Sequence, residues 1–391
     1  MKIVVWLPFM DHHYSETWAH VQTLLAEKPI FVLNATERLV RKAQGWNSVP
    51  LDTFQTVMLE KRGWSRQSRE IVHSHPDAIH VFFGFWGESH FFMLILYSLY
   101  RGMKVAIMNE PYSPNPVGYT KEESTPVARF KVWFRPILYR LFALASTFFR
   151  KGPPPCILPL SLIAREQFLQ AGFGKNVLFP FGYFVPRTVS DVTKDQNHAS
   201  TLRLVFIGSL LKRKGLDVAI EAVETLNKRG VSIRLDVYGH GSPENFIPSD
   251  TTCVWFKGPL KSDEVQSAIA SYDVLILPSR HDGWGVVVNE ALLQGTPVIV
   301  SDHVGAKCLL ETTQAGIVFK SEDASDLAAK LEQLCKEPLK LKKLRAKAIQ
   351  AGAYILPIVG AQYLLDVFKF YFYSDQSGQR PQAIWCDAAN Q

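Results

Sequence analysis

The stretch Arg280–Val300, RHDGWGVVVNEALLQGTPVIV, sets two carboxylates, Asp282 and Glu290, around Gly283-Trp284-Gly285. It follows the apolar run DVLILP, which reads as a buried strand, so Asp282 is expected in the loop at that strand's carboxyl end. GVVVNEALLQG reads as a helix stopped by Gly295. Glu290 would lie about one and a half turns inside it, by helical pitch, among Val287, Val288, Ala291 and Leu292. A lone helical Glu is usually a surface acid. In apolar surroundings, however, an unpaired acid is costly, and a ligand becomes the better partner. A carboxylate can accept from both hydroxyls of a vicinal diol such as a ribose.

A second loop complements these acids with cations. After the strand-like LRLVFIG comes Gly208-Ser209-Leu210-Leu211-Lys212-Arg213-Lys214-Gly215, and then a helix-like run. Glycine allows close backbone approach to a ligand, and a helix N-terminus offers unpaired N–H groups with a partial positive charge. Three cations at such an end are locally unfavourable, which points to a bound anion and suits a diphosphate rather than a merely solvated turn. The spacing is not that of a Walker loop. A third loop, Gly239-His240-Gly241-Ser242-Pro243, follows the strand-like SIRLDVYG and reads equally as an ordinary turn or a ligand contact.

These loops need strands to carry them. KIVVWLP, PIFVLN, AIHVFFG and MKVAIMNEP read as buried strands separated by helix-like WAHVQTLLAE and SHFFMLILYSLYRG. The alternation predicts a parallel sheet covered on both faces. The polar run PRTVSDVTKDQNHAST reads as a linker. Strand–helix alternation then resumes through GLDVAIEAVETLNKRG, SDEVQSAIASY (a helix with a Ser cap) and TPVIVSD. The expected organisation is an α/β domain over 1–185, a linker over 186–201 and a second doubly wound α/β domain over 202–355. A terminal helix over 356–373 and a disordered polar tail over 374–391 complete it. Ligands of such sheets sit beyond the strands' carboxyl ends, so two joined domains predict a cleft.

The second half resembles the retaining glycosyltransferases of family 4, which share the GT-B fold of two Rossmann-like doubly wound domains facing a cleft. Their acid–seven residues–acid signature, followed by Ala and Gly-x-Pro-Val, stands here as Asp282, Glu290, Ala291 and Gly295-Thr296-Pro297-Val298. GSLLKRKGLD, YGHGS, FKGPL and SDHVGAKCLLE follow the family's order. The resemblance implies that Glu290 binds the donor ribose and that Asp282 lies against the transferred sugar. It implies that Gly283, Trp284 and Gly285 present backbone N–H groups, and that Gly208, Ser209, Lys214 and Gly239 border the donor. Lys214 would hold the diphosphate. Ser209 stands where the family often has Arg, and Arg213 is the candidate to supply that charge; the first acid is Asp rather than the commoner Glu. The terminal helix would cross back onto the first domain.

The first half resembles the family only in architecture. FMDHHYSETWAH replaces a glycine-rich pair, and Asn109-Glu110-Pro111 stands where a His-Asp is common. Acceptor candidates, all expected in loops after strands, are His12, His13, Gly84, Trp86, Glu88, Asn109 and Glu110; each His has a turn or core role as its plainer reading. His73, His75 and His80 cluster in sequence without a fourth ligand, and no metal site is expected. No Asp-x-Asp occurs. The implied reaction is therefore metal-independent transfer from a nucleotide diphosphate sugar, a co-substrate rather than a cofactor, with cations and a helix end stabilising the leaving group. The implied acceptor is a glycan or lipid-linked sugar, and the implied pathway is envelope or extracellular polysaccharide synthesis. Alternatives are a sugar-nucleotide 2-epimerase of the same fold and a degenerate, non-catalytic binding subunit.

The bulk composition agrees with two ordinary cores: 391 residues, 47% hydrophobic, 20% charged, with a net charge of +7. The basic balance favours an anionic partner, either a phosphate ligand or an anionic membrane surface; no nucleic-acid motif is visible. Five scattered cysteines without a CxxC suggest reduced thiols and a cytoplasmic location. The N-terminus lacks a signal-peptide pattern, and the apolar runs fall short of the roughly 20 residues a span needs. PVARFKVWFRPILYRLFALASTFFRK, over 126–151, interleaves six cations with aromatic residues. It reads equally as a packed helix and as a peripheral contact with the inner face of the plasma membrane, and Pro136 suits a helix start.

Overall fold

IVVWL, IHVFF and KVAIMN have apolar residues at consecutive positions, which only a strand covered on both faces can bury. The computed structural model describes residues 1–34, 49–60, 63–85, 89–114, 126–188, 201–248, 250, 252–373, 378–383 and 385. The chain divides into two units: residues 1–112, 133–185 and 357–391, and residues 113–132 and 186–356.

The first unit holds β1 (Ile3–Leu7), β2 (Ile30–Leu33), β3 (Gln55–Met58), β4 (Ile79–Phe83), β5 (Lys104–Asn109) and β6 (Cys156–Pro159). They form one parallel sheet in the order β3-β2-β1-β4-β5-β6. Its helices are α1 (His12–Leu24), α2 (Trp64–Ser74), α3 (Ser89–Tyr100), α4 (Pro126–Phe148, whose first residues fall in the other unit's share) and α5 (Leu162–Gln170). The second unit repeats the plan with β7 (Leu202–Ile207), α6 (Leu216–Lys228), β8 (Ile233–Tyr238), β9 (Val254–Gly258), α7 (Val265–Ala270), β10 (Val274–Leu277), α8 (Val287–Leu293), β11 (Val298–Ser301), α9 (Lys307–Thr313), β12 (Gly316–Phe319), α10 (Ala324–Lys336) and α11 (Pro338–Gly352). Its sheet order, β12-β11-β10-β7-β8-β9, is the same doubly wound permutation.

The chain then returns to the first unit as α12 (Pro357–Phe372), which packs on α1. Gly360 makes this possible, because a Cβ there would overlap the Phe184 ring. Of the tail expected to be disordered, residues 378–383 and 385 are described. Arg380 donates to the carbonyls of Lys175 (2.9 Å) and Leu178 (2.6 Å) and lies over the Phe179 ring at 4.2 Å, while Trp385 is 2% exposed. One cation and one indole anchor a segment whose composition is otherwise polar.

Other expectations shift locally. Ser262 caps no helix: the Glu264 carboxylate accepts from Lys261 N–H at 3.0 Å, closing a turn, and the helix begins only at Val265. Pro136 lies inside α4 rather than at its start. The expected linker lies largely outside the described residues. His80, 0% exposed, accepts from Trp6 Nε1 at 3.2 Å, and burial lowers its pKa to about 4. His73 instead meets the Tyr97 hydroxyl at 3.1 Å. His75 Nδ1 meets the Ile71 carbonyl at 2.9 Å, and its own carbonyl meets His80 Nε2 at 3.2 Å; no group of three metal-ligating side chains occurs among the described residues.

Candidate functional site

In the second unit the chain runs outward from β7 through β8 to β9 and then jumps to β10 on β7's other side. The loops leaving the carboxyl ends of β7 and β10 therefore diverge, forming the crevice where doubly wound sheets hold ligands. Lys214 comes from one loop and Asp282 from the other. They meet as an ion pair of 2.6 Å with side chains 17% and 12% exposed. Burial alone would push the Asp282 carboxyl up, but the charges of Lys214 and Arg213 hold it below its ordinary value. A lysine ammonium has three donors, so Lys214 can hold Asp282 and still offer hydrogen bonds to phosphate oxygens.

The cationic stretch Lys212–Lys214 is a 3-10 turn, ended by Gly215 at φ +68°. A Cβ at Gly215 would overlap the Pro278 carbonyl, so only glycine lets the two loops touch. Arg280 pins them together. It donates to both Asp217 oxygens (2.8 and 2.7 Å), to Glu322 (2.8 Å) and to the Lys212 carbonyl (2.7 Å), and its N–H reaches the Arg213 carbonyl at 2.8 Å. Arg213 itself donates to the His281 carbonyl at 3.0 Å. It stands in the site as expected, but one arm of its guanidinium is committed to the backbone.

Glu290 lies in the first turn of α8, closer to the crevice than sequence spacing suggested. Its carboxylate is partly buried, has no hydrogen-bond or ion-pair partner among the described residues, and is raised by burial to about 7. Trp284 is a core residue: its side chain is 1% exposed and donates to Asn289 Oδ1 at 2.7 Å. Only its backbone belongs to the loop, where Gly285 adopts φ +92° and Gly283 completes the turn.

The loops after β7 and β8 interlock. Gly208 N–H donates to the Tyr238 carbonyl (3.0 Å), Leu210 N–H to the His240 carbonyl (2.7 Å), and Ser209 lies between them. A Cβ on Gly239 would overlap the Gly208 carbonyl oxygen. Gly239→Ala should therefore part the two loops and cost about 1–3 kcal/mol, the usual range for overpacking. A melting temperature equal to the parent's would show that the loops separate without penalty. Two residues missed in the sequence also belong here: His240 Nε2 and Ser279 Oγ are buried without hydrogen-bond partners among the described residues. Their only sequence signal is position, in loops after β8 and β10.

In the first unit, the acceptor candidates converge in part. His12 and His13 open α1 rather than lying in a loop, under the Asp11 cap, whose side chain accepts from His13 N–H. Asn109 ends β5 instead of following it, and donates to Tyr139 Oη at 2.7 Å. Glu110 accepts from Tyr183 Oη at 2.6 Å, and His13 faces the Tyr183 ring at 5.8 Å. Gly84, at φ +78°, borders Asn109. Tyr139 and Tyr183 were not legible as site residues; burial raises both phenols, and the Glu110 carboxylate adds to the effect on Tyr183. Trp86 and Glu88 lie outside the described residues.

Residues 201–337, about a third of the chain, match the family described as Glycosyl transferases group 1. Among curated relatives, the amylovoran biosynthesis glycosyltransferase AmsK of Erwinia amylovora is 30% identical over 145 residues, 34% of this chain and 36% of that protein. The putative colanic acid biosynthesis glycosyltransferase WcaL of Escherichia coli (strain K12) is 31% identical over 145 residues, with the same shares. The chain thus spans little more than a third of the length of the curated relatives it matches. Among solved structures, HepE of Anabaena, in complex with UDP, aligns over 94% of this chain and 99% of its own with a TM-score of 0.66 at 12% identity. The fold is GT-B, two Rossmann-like units.

Proposed function

We propose that the chain is a retaining, metal-independent glycosyltransferase that moves a sugar from a nucleotide diphosphate sugar to a glycan or lipid-linked acceptor, in envelope or extracellular polysaccharide synthesis. The observation that carries this reading is the pairing of Lys214 with Asp282 across the β7/β10 crevice, eight residues before Glu290, whose carboxylate has no partner among the described residues. In this reading the Lys212–Lys214 turn receives the diphosphate, Glu290 takes the two ribose hydroxyls, and Asp282 faces the sugar. Charge accumulates on the diphosphate as the glycosidic bond breaks, and fixed cations stabilise it without reorganising. The His13, Asn109 and Glu110 cluster of the first unit is the candidate to bind the acceptor. Relatives named for amylovoran and colanic acid biosynthesis, and a structural neighbour solved with UDP, support the pathway and the donor class.

Thermal melting with a panel of nucleoside diphosphates and their sugars tests the donor. A specific ligand at about 100 times its Kd adds about 2.7 kcal/mol, and a panel with no shift would overturn the reading. Transfer should also survive a strong chelator, because the cationic turn does the electrostatic work a metal would otherwise do. Activity lost on chelation and restored by magnesium or manganese would refute metal independence.

A further inference from the structure

We propose that the outer face of α4, with the adjoining end of α3, docks on an anionic lipid bilayer by inserting an apolar row between flanking cations. Helix α4 has two apolar faces. At 100° per residue, Tyr139, Phe142, Ala143 and Ser146 fall on one side, and all are buried. Trp133, Leu141, Leu144 and Phe148 fall within about 80° of one another on the opposite side. They are 63%, 51%, 55% and 81% exposed. A helix needs only one apolar stripe to join a core, and Leu141, Leu144 and Phe148 form a second, exposed one. Met93 (62%) and Tyr100 (48%), seven residues apart on one face of α3, are exposed too. The two helices are tied by Phe92 against Phe142 at 5.8 Å and by Lys151, whose ammonium lies 4.0 Å over the Tyr100 ring.

The charge around the row names the partner. Residues 89–109 and 126–151 contain no Asp or Glu, while Arg101, Arg140, Arg150 and Lys151 are exposed at the border. An exposed apolar row bordered by cations of its own two helices matches a surface that is apolar beneath an anionic layer, as phospholipid headgroups provide. No single described helix is long and apolar enough to cross a membrane, so the geometry is that of a helix lying along the interface. The sequence alone left a packed helix and a surface helix equally open. The structure packs one face of α4 and exposes the other.

The test is co-sedimentation of the full chain with phosphatidylcholine vesicles with and without phosphatidylglycerol, at low and high salt. The parent should bind the phosphatidylglycerol vesicles, weaken as salt rises and keep a salt-resistant remainder. Arg140→Gln/Arg150→Gln/Lys151→Gln should lose the salt-sensitive part. Leu141→Ser/Leu144→Ser/Phe148→Ser should lower the partition by about tenfold or more and abolish the remainder. As a variant with minimal change to the fold, Trp133→Phe should lose most of the tryptophan quenching that brominated lipid causes in the parent. Parent-like vesicle binding by the serine variant overturns the proposal. So does a parent that ignores vesicles and sediments as a dimer which the serine variant dissociates, since the occupant is then a second copy.

Discussion

Lys214→Ala is expected to lower turnover by about 100- to 1,000-fold, the usual cost of removing one preorganised group that stabilises developing transition-state charge. Donor affinity should fall less, because the diphosphate gains its extra charge only as the bond breaks. The same substitution has a second consequence. Asp282 is held in its ionised form by Lys214 and Arg213 against its burial. Without the ammonium at 2.6 Å it is a buried charge short of its main partner, and breaking such a pair costs about 3 kcal/mol. Lys214→Ala/Asp282→Asn should therefore recover much of the lost melting temperature and none of the turnover. Single-turnover kinetics and thermal melts separate the two effects. Turnover within tenfold of the parent in Lys214→Ala would remove this lysine from the chemistry.

Glu290→Gln should weaken donor binding by about 1.5–3 kcal/mol, the worth of hydrogen bonds to a charged group, and it should flatten the pH dependence. Burial raises the Glu290 carboxyl to about 7. Two hydroxyls donate best to the ionised form, so the apparent Kd of the parent should rise about tenfold for each pH unit below 7, by linkage. The amide has no such step. Stability moves the opposite way. A carboxyl whose folded pKa lies above its unfolded value favours the folded state least when ionised, so its penalty grows as pH rises from about 4.5 to about 7. Glu290→Gln should accordingly raise the melting temperature of the donor-free protein at pH 8 and change it little at pH 4. Calorimetric titration across pH 6–8 decides the matter: a pH-independent parent Kd would sink the assignment.

The second unit was the more legible because each candidate loop follows an apolar strand and precedes a helix, so strand ends pointed to Lys214, Asp282 and Glu290. Arg280 was not recognised as a link, since its partners Asp217 and Glu322 are far away in sequence and close only once the sheet forms. In the first unit, Asn109 and Glu110 were findable at the end of β5. Tyr139 and Tyr183, which hold them, come from a helix and a loop with no local mark. Strands β3, β6, β9 and β12 went unread: QTVM is half polar, CILP ends in proline, VWFKG ends in Lys-Gly and GIVF opens on glycine. The tail misled because composition weighs all its residues alike, whereas two of them anchor it.

The return of α12 to the first unit has a consequence for how the protein is made. Ala361, Leu364, Val367 and Phe368 of α12 are fully buried there, alongside residues from the opposite end of the chain. During synthesis, the later stretch 186–356 can complete its own sheet while the earlier one still lacks its last layer, reversing the usual order in which domains mature from the ribosome. Until the final residues emerge, the nascent first unit exposes the apolar surface that α12 will cover, and that interval is when a chaperone has most to shield.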